Sequence, residues 1–364
     1  MSWRYVRLPP QDPYHMITSF LAVGDHVSKG TKNTMLVFNS LETFVNVGFH
    51  QEVWLEVDLD YVRKNGIPVV RRDVGGGTVV ITPGEVDYFL VMKSEDAPTN
   101  QSELYKKFLS PVASFLNSYG VKAEIREQDI VVGGRKISGN GAMTRGKSVI
   151  LAGNVLVDVD VNVIAKCLRV PSAKFRDKLA KEMSEWITSM KRETGKTPSV
   201  EEVAKGLKKA FEEAGFSFSE EELTEDEVRD WNRLAEEKMR ESWIYYKDLR
   251  HPELRSERCV KINFSVTLCH VDYKARKLIR ITAKFSKEKV EEVSISGDFF
   301  VLTPRDFVER LEDRIRGIRV GDIEQVIRDT FNEFRPTIFG FDENDLINAF
   351  NEMLIKPEVQ EIIS

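Results

Sequence analysis

Two short stretches hold the residue types that chemistry needs. The first, Gly66 to Gly84, reads GIPVVRRDVGGGTVVITPG and sets Arg71 and Arg72 beside Gly75, Gly76 and Gly77. β-Branched residues on either side, Ile67 to Val70 and Thr78 to Ile81, favour extended backbone. The glycines between them can take positive φ or approach a ligand closely. The pattern predicts strand, cationic loop, strand. Bare amide N–H groups and planar guanidiniums suit an anion, either a nucleotide phosphate or an acyl carboxylate. The alternative is a glycine-rich hairpin carrying two solvated arginines.

The second stretch, residues 133 to 145, reads GGRKISGNGAMTR and places Lys136 ahead of Gly139 and Asn140. An ammonium among small residues can neutralise charge developing on a carbonyl or phosphate oxygen, an effect on the order of a few kcal/mol in a transition state. Asn140 could orient the same oxygen. A solvated hairpin lysine is the competing reading. The chemistry requires both stretches to line one cavity.

The elements that must position these residues follow from periodicity. Tyr14 to Val27 and Asn100 onward (Leu104, Phe108, Val112, Phe115, Leu116) carry helical apolar spacing, the second with a proline at 111 expected to delay, kink or split it. Strands are expected at Thr34–Phe38, Thr43–Val47, Val86–Met92, Val121–Ile125, Asp129–Val132, Arg135–Met143 and Ser148–Val157. Short links between them favour an α+β domain over a parallel βαβ design. Helices follow at Ala173–Met190, after Ser199 and after Thr224, the last with a face of Val228, Trp231, Leu234, Ala235 and Met239. Val260 to Leu268 alternates cleanly and predicts one strand of a three-stranded unit. Thr303-Pro304 predicts a helix start in that unit.

Length bounds the organisation: 364 residues make two domains the default. We expect them at 1–240 and 257–364, with 241–256 as linker. A net charge of −5 gives no support for nucleic-acid binding through bulk basicity. Cys167, Cys259 and Cys269 show no metal-ligand spacing and read as reduced packing residues, with no structural metal. The N-terminal residues lack signal-peptide order and no apolar run reaches about 18 residues, so a cytoplasmic, membrane-free monomer is expected.

RRDVGGG and KISGN together resemble the signatures of lipoate-protein ligases in the biotin/lipoate ligase superfamily. Phe49-His50-Gln51 after Val47-Gly48, Val155-Leu156-Val157-Asp158, Leu168-Arg169-Val170-Pro171 and Ser296-Gly297-Asp298-Phe299-Phe300 are similar to further segments of that family, the last in its C-terminal accessory domain. The resemblance implies a mixed or antiparallel sheet domain of the biotin/lipoate ligase type plus a small α+β accessory domain. It implies that lipoate and Mg-ATP form lipoyl-adenylate, which the lysine of a lipoyl-domain acceptor attacks. Such acceptors include the glycine cleavage H protein and the acyltransferase subunit of 2-oxoacid dehydrogenases. Gly75, Gly76, Gly77 and Thr78 would pack along the nucleotide, and Arg71 and Arg72 would position anionic groups. Lys136, with Gly139 and Asn140, would hold the acyl carbonyl and phosphate oxygen. Protein side chains are not expected to supply the magnesium site. An apolar slot is expected along Val79 to Ile81 and Val149 to Leu151, and the accessory domain is expected to rotate about residues 240–256.

The chain departs from the pattern at several polar positions. Val74 replaces a serine, Ile81-Thr82 a His-Asp, Ala152-Gly153-Asn154 a His-Gly-Thr, and the arginine after the lysine is displaced to around Met143–Arg145. Two other functions compete: an octanoyl or lipoyl transferase, for which a thioester route needs an activated thiol, and a non-catalytic paralogue that binds an acyl group or adenylate.

Overall fold

The computed structural model describes residues 2–170 and 173–363; Pro171, quoted above, lies outside them. The chain divides into two compact units. The first comprises residues 1–45, 57–70 and 80–240, the second 46–56, 71–79 and 241–364. The chain passes between the units five times, three of these within the short strands Phe44–Val47, Val69–Arg71 and Val79–Ile81. Residues 241–256, expected as a linker, fall within the second unit, because Lys247, Asp248 and His251 are buried there among polar partners.

The first unit is built on a six-stranded mixed sheet. Its order is Asn140–Arg145, Ser148–Leu156, Glu85–Lys93, Thr34–Phe38, Ser2–Arg7, Ser217–Glu220. The first four strands are antiparallel neighbours and the last three parallel ones. Glu85–Lys93 is central and buried on both faces. Val86, Tyr88 and Leu90 join Leu151 and Val155 in a core with helices Gln101–Asn117 and Val200–Glu213. Phe89 and Val91 join Ile150 in the opposite core, formed with helices Pro13–Ser28 and Glu225–Lys238. The period of two decides which side chain enters which core.

Several expectations need correcting here. Helix Gln101–Asn117 passes through Pro111 without splitting. The helix expected to Met190 stops at Trp186, and Ser189 caps a new one at Met190–Thr194. Val228 and Met239 are exposed, so only Trp231, Leu234 and Ala235 of the expected face are buried. The single strand expected over Arg135–Met143 is two: Arg135–Ser138 pairs with Asp129–Val132 in a separate three-stranded sheet, and Asn140–Arg145 joins the main sheet. Gly139 is the break.

The second unit carries a four-stranded antiparallel sheet in the order Val260–Asn263, Val266–Lys274, Leu278–Ser286, Lys289–Gly297, backed by helices Phe307–Ile315, Ile323–Phe334 and Glu343–Leu354. The alternation from Val260 to Leu268 is therefore a hairpin rather than one strand. Asn263 Oδ1 accepts the Ser265 amide at 2.9 Å and makes the turn, as short polar side chains do. Register sets Val260 opposite Leu268, so Cys259 and Cys269 are the next pair and are joined in a disulfide. Only Cys167 is a free cysteine among the described residues, which overturns the reading of three reduced thiols. Thr303 ends a strand, and the helix expected there starts at Phe307. No helix among the described residues is long and apolar enough to cross a membrane.

Candidate functional site

Lys136 sits on Arg135–Ser138 in the first unit. Its Nζ lies 2.8 Å from Asp129 Oδ2 on the adjacent strand, and its side chain remains 43% exposed. Its own carbonyl accepts the Thr188 amide at 2.8 Å, which pins the backbone on one side. Gly139 lies under the lysine stem: a Cβ there would stand 3.6 Å from Lys136 Cδ and 3.9 Å from Nζ. The Gly139 amide donates to Asn154 Oδ1 at 2.8 Å, and the Asn154 amide donates back to the Gly139 carbonyl at 3.3 Å.

Asn140, expected to orient a substrate oxygen, is tied within the protein. Its Oδ1 accepts from the Tyr88 hydroxyl at 2.5 Å, and its Nδ2 donates to Ser138 Oγ at 3.1 Å. Gly153 makes this possible, because a Cβ there would fall 2.1 Å from Asn140 Oδ1 and 2.4 Å from Tyr88 Cζ. Arg145, near the place of the displaced arginine, is engaged bidentately by Asp25 at 2.7 Å.

Behind Asn154 stand two acids that lie outside both stretches singled out from sequence. Glu85 and Asp87 share one face of a central strand, 3% and 7% exposed. Burial pushes the Glu85 carboxyl up to about 7, and burial together with Glu85 pushes Asp87 well above the usual range. Two buried carboxyls this close titrate as a pair. Glu85 Oε1 accepts the Thr82 amide at 2.9 Å and Oε2 accepts from Asn154 Nδ2. Asp129, too, lies outside those stretches, on the strand expected at Asp129–Val132. A detectable signal existed for the acids: EVDYFLVMK puts two carboxylates into an otherwise apolar strand.

The glycine loop belongs to the second unit. Arg71 is fully buried; its Nη1 donates to the carbonyls of Gly48, Phe49 and Gln51 at 3.0, 2.8 and 2.7 Å, and its Nε to Ile244 at 2.8 Å. Burial pulls its pKa down to about 10, so it stays charged at neutral pH. Arg72 donates to the carbonyls of Asn46, Gly75 and Gly77 at 3.0, 2.8 and 2.8 Å. Both guanidiniums, expected to face anions, are engaged mainly by backbone carbonyls here, and the anion near Arg71 is the protein's own Asp248, 3.6 Å from its Nη2. Thr78 Oγ1 donates to Gln51 Oε1 at 2.8 Å, which also accepts the Gly48 amide.

The glycines serve close backbone approach. A Cβ on Gly75 would fall 2.2 Å from the Phe299 carbonyl oxygen, and one on Gly48 1.9 Å from that of Gly76. Gly76 has φ +93° and donates to the Phe299 carbonyl at 3.2 Å; Gly77 is the most open of the three. Strand residues expected to line one apolar slot point apart: Val149 and Leu151 pack into the core with helix Gln101–Asn117, while Ile150 packs on the opposite face.

The lipoyl protein ligase A/B catalytic domain matches residues 18–212, more than half of the chain. The chain belongs to the lipoyl protein ligase A/B family. A lipoate-protein ligase from Staphylococcus aureus is 25% identical over 338 residues, covering 92% of each chain. An octanoyltransferase LipM from Kyrpidia tusciae is 28% identical over 230 residues, covering 56% of this chain and 83% of that protein. Among solved structures, a bipartite lipoate protein ligase with its E2 lipoyl domain from Thermoplasma acidophilum has a TM-score of 0.62 at 26% identity, covering 71% of this chain and 99% of that one. This lipoyl protein ligase family member is thus an enzyme of the ligase type, with the α+β architecture of the lipoate ligases. Within that family match lie Lys136, Gly139, Asn140 and the glycine loop.

Proposed function

We propose that the protein joins lipoate to a specific lysine of a lipoyl-domain acceptor through an adenylate. Lipoate carboxylate attacks the α-phosphorus of ATP and releases pyrophosphate. The acceptor ε-amine then attacks the acyl carbonyl and releases AMP, forming the amide. Lys136 donates hydrogen bonds to the carbonyl and phosphate oxygens as they gain charge, relinquishing part of its pairing with Asp129. Gly75, Gly76, Gly77 and Thr78 flank the nucleotide; Arg72 holds that loop in shape through the Gly75 and Gly77 carbonyls, and Arg71 holds the adjoining Gly48 to Gln51 segment. Magnesium, bound together with the nucleotide, would supply neutralisation of the phosphate charge. The acceptor lipoyl domain belongs to a carrier such as the H protein or a 2-oxoacid dehydrogenase acyltransferase subunit.

The observation that carries this reading is a contrast between amine and thiol. Lys136 is reachable from solvent, whereas the one free cysteine among the described residues is sealed. Burial and the neighbouring Asp58 push the Cys167 thiol up to about 11, the opposite of what a thioester-forming nucleophile requires. That favours the adenylate route over a cysteine-dependent acyl transferase.

Intact-mass spectrometry of an apo-lipoyl domain incubated with the enzyme, lipoate and Mg-ATP should show one added lipoyl group and one pyrophosphate released per transfer. Lys136→Ala should slow this by about 10²-fold or more, and Cys167→Ser should leave it intact. Octanoate in place of lipoate defines the acyl preference. Transfer that persists without ATP from an octanoyl thioester, and vanishes in Cys167→Ser, would replace the ligase reading with the transferase.

A further inference from the structure

The buried acid Glu85 has no role in the reaction as drawn, yet it stands at the end of a chain of contacts leading to Lys136. We propose that Glu85 is a positioning residue for Lys136, acting by fixing which way round the Asn154 amide lies. The proposal rests on Lys136 being the catalytic ammonium.

Each link follows from donor and acceptor capacity. An ionised carboxylate accepts only, at both oxygens. Glu85 Oε1 is occupied by the Thr82 amide, so Oε2 admits only a donor on its other side. Asn154 must therefore turn its Nδ2 toward Glu85, and this aims its Oδ1 at the Gly139 amide. Gly139 is then held from both ends by one residue, since its carbonyl also accepts the Asn154 backbone amide. The Gly139 backbone runs beside the stem of Lys136, close enough that an added Cβ would touch Cδ at 3.6 Å, so a shift of Gly139 changes the room the stem has while Asp129 holds its end. Asp87 supports the arrangement. It shares the strand face with Glu85, and burial raises both carboxyls, which titrate as a pair; the relay is set in the form in which Glu85 carries the charge. A buried carboxyl with no cation on it is costly. Its persistence in a central strand asks for a function, and holding the support of Lys136 supplies one.

The logic predicts a swap. In Glu85→Gln the introduced amide still accepts the Thr82 N–H, but it presents a donor to the Asn154 donor. Asn154 must then reverse and turn its Nδ2 on the Gly139 amide. In Asn154→Asp two carboxylates meet. In the double variant, the amide introduced at position 85 donates to the carboxylate introduced at position 154, and that carboxylate again accepts from the Gly139 amide.

Pyrophosphate release should fall roughly tenfold or more in each single variant through kcat, with KM for ATP little changed and Glu85→Gln no less stable than wild type. It should return to within about threefold of wild type in the double variant. Exchange of the Gly139 amide proton, followed by NMR, should speed up in Glu85→Gln and slow again in the double variant. This second readout keeps failure of the relay distinguishable from failure of the ligase reading, because it needs no turnover. Unchanged kcat in Glu85→Gln, or Gly139 exchange indifferent to both changes, overturns the relay.

Discussion

Glu312 in the second unit and Glu85 in the first are both buried carboxyls, and their surroundings differ in almost every respect. Glu312 accepts from Lys247 Nζ at 2.7 Å, Arg250 Nε at 3.0 Å and the Ile295 amide at 2.7 Å, with His251 Nε2 at 3.1 Å. Burial alone would raise its pKa, but Lys247 and His251 outweigh it and hold the carboxyl down at about 2. Glu85 has two neutral donors and a second acid for company, and burial carries it up to about 7. Equal burial thus gives opposite outcomes, decided by whether cations were brought along. A compensated acid ties helices Tyr246–Arg250 and Phe307–Ile315 together and is an anchor. An uncompensated acid stores cost, and such groups gather where chemistry needs them.

The strongest break of this comparison is Glu312→Leu. It leaves the Lys247 ammonium, fully buried, without its nearest counter-charge. Removing one partner of a buried pair costs about 3–5 kcal/mol, so the denaturant midpoint of the second unit should fall steeply. A loss under about 1 kcal/mol would mean that the network is ornamental, and the contrast with Glu85 would lose its meaning.

The next test is pH, and the two acids should act with opposite sign. Glu85 has a folded pKa raised from 4.5 to about 7. Its contribution is present below pH 4.5 and lost as the pH rises through 7, by up to roughly 3 kcal/mol. Glu312 has a folded pKa lowered from 4.5 to about 2. Its contribution is present above pH 4.5 and lost as the pH falls toward 2. Urea titrations of wild type and Glu85→Gln should therefore converge near pH 4.5 and separate by pH 8, the variant being the more stable. Parallel curves across that range would show that Glu85 has found compensation after all.

Much of this arrangement could be anticipated from residue order, and the exceptions have physical causes. Helix Gln101–Asn117 buries Leu104, Phe108, Val112, Phe115 and Leu116 as their spacing requires, and the glycine loop and Lys136 stretch stand out by composition alone. The hairpin at Asn263 was hidden because the alternation keeps its phase through a turn without glycine or proline, and the disulfide was hidden with it. Strands Ser2–Arg7 and Ser217–Glu220 were hidden because polar residues occupy them; Arg4 is buried only because Glu227, from a distant helix, pairs with it. Asn154 and Asp87 meet through strand register, which residue order does not display. The arginines were legible as charge, but not as donors to carbonyls that the fold alone brings near.

The smallest expected effect concerns a third carboxylate, Asp129, which pairs with Lys136 while partly open to water. Solvent screens both charges, and pairs of this kind contribute about 0–1 kcal/mol. Asp129→Asn should therefore shift stability by less than about 1 kcal/mol, and raising the salt to about 0.5 M should erase the difference. Pyrophosphate release, in contrast, should change with the freedom of the ammonium. If Asp129→Asn proved as costly as Glu312→Leu, exposure would not be what separates the two pairs. Desolvation could then no longer explain why one acid anchors a fold and another serves a site.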